Sequence, residues 1–274
     1  MKTLIAGLAL ALTAASAIAQ APLSPKVTMV PASGVLDRDL RLFESWLPGE
    51  FDNAEQFFFA QEQGVAVPPR MHATITASGP HTFTVRYFAG NDLTKPVEER
   101  QAVASIDANG AGLKLSSPGC DIRWMRRANQ FAGVSSAGSC GAKVETRLIL
   151  SAGDLWLGDE ARLQRAHAWT CWMATPHDTD PTTSFFAPGL KILDQGGEVW
   201  IRTDDATPRE IGYRLRQVDW PAGTNQNALT LYVLKKGEAR APGYAWASPD
   251  ASRIGINLRW VQGSCTKSTP SVAP

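Results

Sequence analysis

Residues 46–56 have the sequence WLPGEFDNAEQ, in which a Trp and a Pro-Gly pair precede a cluster of polar side chains. The Pro48-Gly49 pair ends whatever helix comes before it. The residues after it alternate, and strand alternation would place Glu50, Asp52 and Gln56 on one side. The stretch therefore predicts a strand with one polar face directly after a helix.

The predicted helix lies immediately upstream, in the amphipathic run DRDLRLFESWL over 37–47. Leu40, Phe43 and Leu47 recur at helical spacing, and Asp37 is a suitable N-cap residue. We expect this helix to cover one end of the β-structure that follows.

Short alternating segments dominate the rest of the chain. They are rich in Val, Ile, Thr and aromatic residues, and turn signals such as Ser78-Gly79-Pro80 and Asn109-Gly110 separate them. Evenly spaced short strands are typical of a barrel or a sandwich. The pattern predicts an all-β fold, with strands over 71–77, 81–88, 99–108, 112–117, 121–127, 130–136, 142–152 and 154–164, and again over 190–195, 197–205, 210–220, 229–236, 243–249 and 253–264.

A second motif, GCDIRWMRRANQFAGVSSAGSC, occupies residues 119–140. Together with WLPGEFDNAEQ it resembles the CpcT/CpeT family of phycobiliprotein chromophore lyases. That family carries W-x-x-G-E-F-x-N-x-x-Q near its start, then G-C-D/E-V/I-x-W, F-x-G and G-x-C. The resemblance covers roughly residues 36–160, and the chain beyond 160 has no counterpart in the family.

The resemblance implies a lipocalin-like (calycin) antiparallel β-barrel with an N-terminal helix, to which this chain adds C-terminal β-strands. It also implies that an open-chain tetrapyrrole (bilin) binds in the mouth of the barrel. With the sequence pattern, it divides the chain as follows: a signal peptide at 1–19, a flexible leader at 20–35, the CpcT/CpeT-like barrel at 36–173, a loop at 174–189, the C-terminal β extension at 190–266 and a disordered tail at 267–274.

A bilin offers propionates, pyrrole N–H donors and a curved apolar face, so its site needs cations, a carboxylate and aromatic side chains. The family signature assigns seven residues to such a site. They are Glu50, Asp52, Asn53, Gln56, Arg70, Arg86 and Arg100. The alternative is structural: the acids pair with nearby arginines or cap the next helix, and the arginines lie exposed on their strands.

The chain departs from the family at one segment of that site. Arg100-Gln101 matches the first half of an R-Q-R segment, but Ala102 replaces the second Arg and Ala104 replaces a Tyr that often follows. The resemblance consequently supports the fold more strongly than it supports lyase chemistry.

The first nineteen residues have the features of a secretory signal peptide. Lys2 precedes an apolar run over 4–12, and Ala17-Ile18-Ala19 forms an A-x-A cleavage site. No later segment approaches the roughly 20 apolar residues that a bilayer requires, so no membrane span is expected. The protein is therefore predicted to be periplasmic or secreted.

Four cysteines in an exported chain favour two disulfides over metal ligation, because C-x-x-C pairs and nearby His ligands are absent from the sequence. Chain order favours pairing Cys120 with Cys140 and Cys171 with Cys265. No metal site is expected. Seven tryptophans are expected to fill the core. They are Trp156, Trp169, Trp172, Trp200, Trp220, Trp246 and Trp260.

Charge argues against a nucleic-acid partner. Without Lys2 the chain has 26 basic and 26 acidic residues, and its basic cluster at Arg123, Arg126 and Arg127 lies on a predicted strand. Walker, G-x-S-x-G, H-E-x-x-H and dinucleotide motifs are also absent from the sequence.

Two main functions remain open. The first is a lyase-like protein that binds a bilin for attachment to an acceptor Cys of a client protein, with no cofactor required beyond that bound bilin. The second is a non-enzymatic periplasmic carrier of a small amphipathic ligand. A third hypothesis is a structural module that takes part in interactions at the cell envelope and binds no small ligand.

Overall fold

The structure is a computed structural model that describes residues 32–90, 95–138, 140, 146–158, 161–218 and 226–268. The predicted signal peptide at 1–19 lies outside the described residues, as do Trp220 and most of the predicted leader and tail.

Helix α1 (Ala32–Trp46) is the amphipathic helix expected from the sequence. It begins five residues before Asp37, so Asp37 lies within the helix and the prediction that it is the N-cap is wrong. Phe43 and Leu47 are 0% and 2% exposed, which places the apolar face against the barrel. Within the described ranges, neither this helix nor the ten-residue α2 is long and apolar enough to cross a membrane.

Ten strands form a closed antiparallel barrel, in which β1 pairs with both β2 and β10. The predicted barrel with an N-terminal helix and further C-terminal strands is therefore confirmed. Helix α2 (Ala54–Gln63) lies between the first two strands. The barrel strands are β1 (Gly49–Asp52), β2 (Met71–Gly79), β3 (Thr82–Ala89), β4 (Glu98–Ile106), β5 (Leu113–Ser117), β6 (Cys120–Arg127), β7 (Gln130–Ser135), β8 (Thr146–Leu150), β9 (Asp154–Leu157) and β10 (Ala161–Ala166).

The interior of the barrel is a packed apolar core. Alternate residues of its strands point inward, among them Phe51, Trp124 and Phe131, all 1% exposed or less. Phe43 of α1 joins them, with its ring centroid 5.4 Å from that of Trp124 and 5.3 Å from that of Phe131. Side chains of α1 and of the strands thus fill the interior of the barrel. The ligand position in the mouth of the barrel stays a prediction.

The remaining strands form two four-stranded sheets. One has the order β12-β11-β18-β17 and the other the order β13-β14-β15-β16. Their shared core contains Trp169, Tyr213 and Leu231, each fully buried. The strands are β11 (Ala168–Pro176), β12 (Ser184–Leu193), β13 (Gln195–Arg202), β14 (Glu210–Val218), β15 (Ala228–Lys235), β16 (Gly243–Ala247), β17 (Arg253–Leu258) and β18 (Val261–Lys267).

These bounds differ in detail from the expected divisions of the chain. Strand β11 pairs with β12 and β18 and so belongs to the C-terminal sheets, whereas the last barrel strand ends at Ala166. The expected loop at 174–189 is shorter, because only 177–183 connect β11 to β12.

Both predicted disulfides are confirmed. Cys120 pairs with Cys140, and Cys171 on β11 pairs with Cys265 on the neighbouring strand β18. The chain has four cysteines, and all of them are therefore oxidised. Two disulfides indicate a non-reducing compartment.

Helix α2 packs the barrel against the sheet that begins with β13. Its Ala54 and Phe58 contact the backbone at Gly196, where an added Cβ would lie 2.7 Å from the Cβ of Ala54. Gly196 also has a φ of +74°, so both the close approach and the backbone conformation require glycine there. This contact brings the outer wall of the barrel at β1 and β2 close to the C-terminal strands.

Candidate functional site

Four polar side chains lie together on the outer wall of the barrel. Since Phe51 points into the core, its neighbours Glu50 and Asp52 point outward from β1. The β1–β2 register places Glu50 opposite Thr74 and Asp52 opposite His72. The polar face predicted from the sequence is therefore real, but it lines the outside of the barrel.

His72 bridges the two carboxylates. Its Nε2 lies 2.7 Å from Oε2 of Glu50, and its Nδ1 lies 3.1 Å from Oδ2 of Asp52. An ionised carboxylate only accepts hydrogen bonds, so each ring nitrogen must donate a proton. The geometry thus fits an imidazolium held between two carboxylates, and the His72 side chain is 2% exposed.

The pKa values of this group follow from competing causes. Burial lowers the pKa of His72, but hydrogen bonds to Asp52 and Glu50 outweigh burial, and the pKa is raised above 6.5. Burial raises the pKa of Glu50, but hydrogen bonds from His72 and Thr74 outweigh it, and the pKa is lowered below 4.5. Both shifts favour the charged forms.

Asp52 is held by further donors. Its Oδ1 accepts a hydrogen bond from the backbone N–H of Ala54 at 2.7 Å and another from Nη1 of Arg70. The other end of the Arg70 guanidinium donates to the carbonyl of Gln195 at 3.2 Å. These contacts fix Asp52 and connect the barrel wall to β13.

The Glu50 carboxylate is more open to a ligand than Asp52. Its Oε2 accepts both the His72 hydrogen bond and one from the Thr74 hydroxyl at 2.7 Å. Oε1 has no hydrogen-bond donor among the residues that the structure describes, so it can accept from a ligand. The Glu50 side chain is 37% exposed, against 6% for Asp52. Glu50 is therefore an oriented, ionised acceptor at the protein surface.

A cleft of about 360 Å³ separates this wall from the C-terminal strands. The barrel side supplies the carboxylates, His72 and Phe88, while the opposite side supplies Lys191, Glu198 and apolar groups. The lining residues are Glu50, Asp52, Arg70, His72, Thr74, Phe88, Gly90, Ala168, Lys191, Ile192, Leu193, Gly197 and Glu198. The cleft combines charged groups of both signs with apolar side chains, as ligand sites do.

Of the seven site residues predicted from the sequence, the structure brings together Glu50, Asp52 and Arg70. Asn53 lies behind the cleft, 1% exposed, where its side chain accepts from the backbone N–H of Met71 at 2.8 Å. It orders the start of β2.

The other three predicted residues lie elsewhere. Gln56 is on α2, where its Oε1 accepts a hydrogen bond from the backbone N–H of Arg162 at 2.8 Å. Arg86 donates to Glu99 at 2.7 Å, and Arg100 pairs with Glu98. These two contacts match the structural alternative for strand arginines, so the structure does not place Gln56, Arg86 and Arg100 in the cleft.

Sequence reasoning missed His72, Thr74, Lys191 and Glu198. His72 and Thr74 occur two residues apart in a predicted strand, which shows that they share a face. Their position opposite Glu50 and Asp52 depends on strand register. Among the described residues, no group of three or more His, Cys, Asp or Glu side chains is arranged to hold a metal ion.

Neither a protein-family model nor a curated protein matches the chain. Among solved structures, the chain is similar to the T-type phycobiliprotein lyase CpeT from Prochlorococcus phage P-HM1. That likeness has 18% sequence identity and a TM-score of 0.38, and it covers 46% of this chain and 96% of the phage protein.

Proposed function

We propose that this protein binds an open-chain tetrapyrrole, or a small amphipathic ligand of the same chemistry, in the cleft between β1–β2 and the C-terminal strands. The observation that carries the proposal is the ionised Glu50 carboxylate, held by His72 and Thr74 with one oxygen left for a ligand donor. The sequence motifs that resemble the bilin lyases supply the ligand class.

Each part of a bilin has a counterpart in the cleft. Glu50 would accept the pyrrole N–H groups, in a charge-assisted hydrogen bond. Lys191 is exposed and its Nζ donates to the Thr170 hydroxyl at 2.8 Å, a neutral partner that leaves its charge for a propionate. Phe88 and Ile192 would pack on the rings.

The size of the cleft limits how much ligand it encloses. A volume of about 360 Å³ is near the lower end of the roughly 300–1,000 Å³ typical of sites for drug-sized molecules. A four-ring ligand would therefore place part of its length in the cleft and the rest at the opening.

Carriage of the ligand is the function that we place first, ahead of covalent attachment. All four cysteines form disulfides, so the chain has no thiolate to hold a bilin as a thioether intermediate. Covalent attachment of the bilin would therefore require the acceptor Cys of a client protein to enter the cleft. The wall of the cleft opposite the barrel carries Lys191 and Glu198. Export to the periplasm or the medium, as the N-terminal sequence predicts, fits a carrier.

An absorbance titration with biliverdin and phycocyanobilin tests binding. We expect the wild-type protein to shift the bilin spectrum at micromolar concentration, and Glu50→Gln to weaken binding at least tenfold. Arg86→Ala is the matched control, because Arg86 is paired with Glu99 away from the cleft. The absence of a spectral shift with the wild type would contradict the proposal.

A client assay separates carriage from lyase activity. The wild-type protein, a bilin and a phycobiliprotein subunit with its acceptor Cys are incubated, and the denatured mixture is examined for zinc-dependent fluorescence. A carrier gives a spectral shift without a fluorescent covalent band. A band that depends on the wild-type protein and fails with Glu50→Gln would establish lyase activity instead.

A further inference from the structure

Four aromatic side chains form a solvent-facing surface on the sheet β13-β14-β15-β16, and we call it the aromatic platform. Its members are Trp200, Tyr232, Tyr244 and Trp246. The sequence predicted Trp200 and Trp246 as core residues, and that prediction is wrong, because they are 39% and 74% exposed. Tyr244 is 65% exposed.

Strand alternation explains why these residues share a face. Val199 and Ala245 point into the sandwich core, so Trp200 on β13 and both aromatics of β16 point to the opposite side. The register places Tyr232 opposite Tyr244, with ring centroids 6.1 Å apart. The platform therefore crosses the whole sheet.

Trp200 is fixed flat against the backbone. A Cβ added to Gly212 would lie 2.7 Å, 2.8 Å and 3.0 Å from three atoms of the indole, so one indole face lies on this glycine. The indole Nε1 donates to Oε2 of Glu198 at 3.2 Å, and Nζ of Lys236 lies 5.5 Å from the ring centroid. Lys236 therefore lies over the indole ring, and the part of the indole that these contacts leave open faces solvent, since Trp200 is 39% exposed.

The dimensions of the platform suit an elongated ligand. Strands β13 and β16 are separated by β14 and β15, and three strand spacings amount to about 14 Å. Trp200 and Tyr244 stand at the two ends of this distance, with Tyr232 between them. A ligand that covers the platform must be longer than one sugar ring.

We propose that the aromatic platform binds a β-1,4-linked glycan of glucose or N-acetylglucosamine units. In these sugars the ring substituents are equatorial, so each ring has an apolar face of C–H bonds and a rim of hydroxyl groups. The negative π-face of an aromatic ring attracts such C–H groups. Glu198 accepts from the Trp200 indole, Arg214 is the register partner of Tyr232, and Lys236 lies over the Trp200 ring. These charged groups would bind the hydroxyl groups.

The exposed area argues for a glycan rather than a protein partner. Taking the roughly 150–250 Å² that an aromatic side chain can bury, the exposed fractions of Trp200, Tyr244 and Trp246 correspond to about 270–450 Å². A stable protein interface buries about 800 Å² per partner. The platform supplies about a third to a half of that area, which is enough to stack several sugar rings.

Tryptophan fluorescence titrations with cellohexaose and chitohexaose test this inference on the full chain. We expect a saturable fluorescence change with at least one hexasaccharide. The combined Tyr244→Ala and Trp246→Ala variant should bind it at least tenfold more weakly. Phe186→Ala is the matched control, since Phe186 is 57% exposed but lies on β12 of the other sheet. Circular dichroism melts establish that the variants fold.

Three outcomes would overturn the inference. They are no binding of either hexasaccharide at millimolar concentration, binding that survives the double variant, and concentration-dependent dimerisation that the double variant abolishes. The last would assign the platform to a second copy of the chain. The inference does not depend on the bilin proposal, because Glu50→Gln should leave glycan binding unchanged and the double variant should leave the bilin spectrum unchanged.

Discussion

The Arg216 guanidinium binds the Glu55 carboxylate across the contact between α2 and β14, with Nε 3.0 Å from Oε1. Both residues are 5% exposed. The guanidinium also lies over the ring of Phe58, 4.5 Å from its centroid. This buried ion pair joins the barrel, through its inserted helix, to the C-terminal sheet that completes the cleft.

Removing the carboxylate should destabilise the protein strongly. Glu55→Ala removes the buried carboxylate partner of Arg216, and breaking a buried pair in this way costs about 3–5 kcal/mol. Urea denaturation measures the free energy of unfolding. The Glu55→Met with Arg216→Met double variant should recover most of the loss, because it removes both charges.

Glu62→Ala is the matched control for this pair. Glu62 also approaches Arg216, with Oε1 3.8 Å from Nη1, but its side chain is 59% exposed. An exposed ion pair contributes about 0–1 kcal/mol. If Glu55→Ala and Glu62→Ala lowered the free energy of unfolding equally, burial of the Glu55–Arg216 pair would make no additional contribution to stability.

The barrel was predictable because its signals are local. Alternation within each segment marks the strands, and turn residues separate them, so an all-β chain follows without knowledge of pairing. The disulfide pairing was also predicted correctly. Local sequence signals do not show that side chains fill the barrel interior, because this depends on how Phe43 packs against Trp124.

The site was only partly predictable for the same physical reason. The polar face of β1 was recognised, but the partner of Asp52 depends on the register that places His72 opposite it. Gln56 was assigned to the same strand face by extending the alternation, whereas the chain turns into α2 at Ala54. Lys191 reaches the cleft only through packing between distant parts of the chain.

Gly133→Ala should destabilise the barrel. The Trp124 ring covers Gly133, and an added Cβ would lie 2.7 Å from two of its carbon atoms. Trp124 is 1% exposed and cannot move freely. Overpacking of this kind costs about 1–3 kcal/mol, measured as a lower urea midpoint.

Gly153→Ala provides the comparison for that substitution. Apart from its two chain neighbours, no described residue has a heavy atom within 4 Å of the Cβ position at Gly153, and the residue is exposed. We expect a change below about 0.5 kcal/mol. If Gly133→Ala were as well tolerated as Gly153→Ala, the interior would have more space than the packed core described above.

The two disulfides should differ in their contribution to stability. Cys171 and Cys265 are separated by 94 residues, and Cys120 and Cys140 by 20. Replacing both cysteines of the longer link by Ala should cost about 4–5 kcal/mol, against about 3 kcal/mol for the shorter one, by the loop-entropy model. Urea denaturation of the two paired variants measures this difference. A larger loss for the Cys120–Cys140 variant would contradict the ordering.

The network around His72 should make stability depend on pH in two directions. The pKa of His72 is raised by folding, so its stabilisation is fully present below 6.5 and is lost as pH rises through the folded-state value. The pKa of Glu50 is lowered, so its stabilisation is present above 4.5 and is lost as pH falls through the folded-state value. Their combined stabilisation should therefore be greatest between these two limits.

His72→Gln tests this dependence, because glutamine can donate a hydrogen bond but carries no charge. The difference in unfolding free energy between wild type and variant should be largest near pH 5.5, the middle of the window set by the two shifts, and should shrink on either side. His81→Gln is the control, since the His81 side chain is 55% exposed and pairs with Glu44 outside the cleft. A wild-type advantage that stayed constant from pH 4 to pH 9, or an imidazole resonance of His72 that titrated below 6.5, would show that the imidazolium is not held between the two carboxylates.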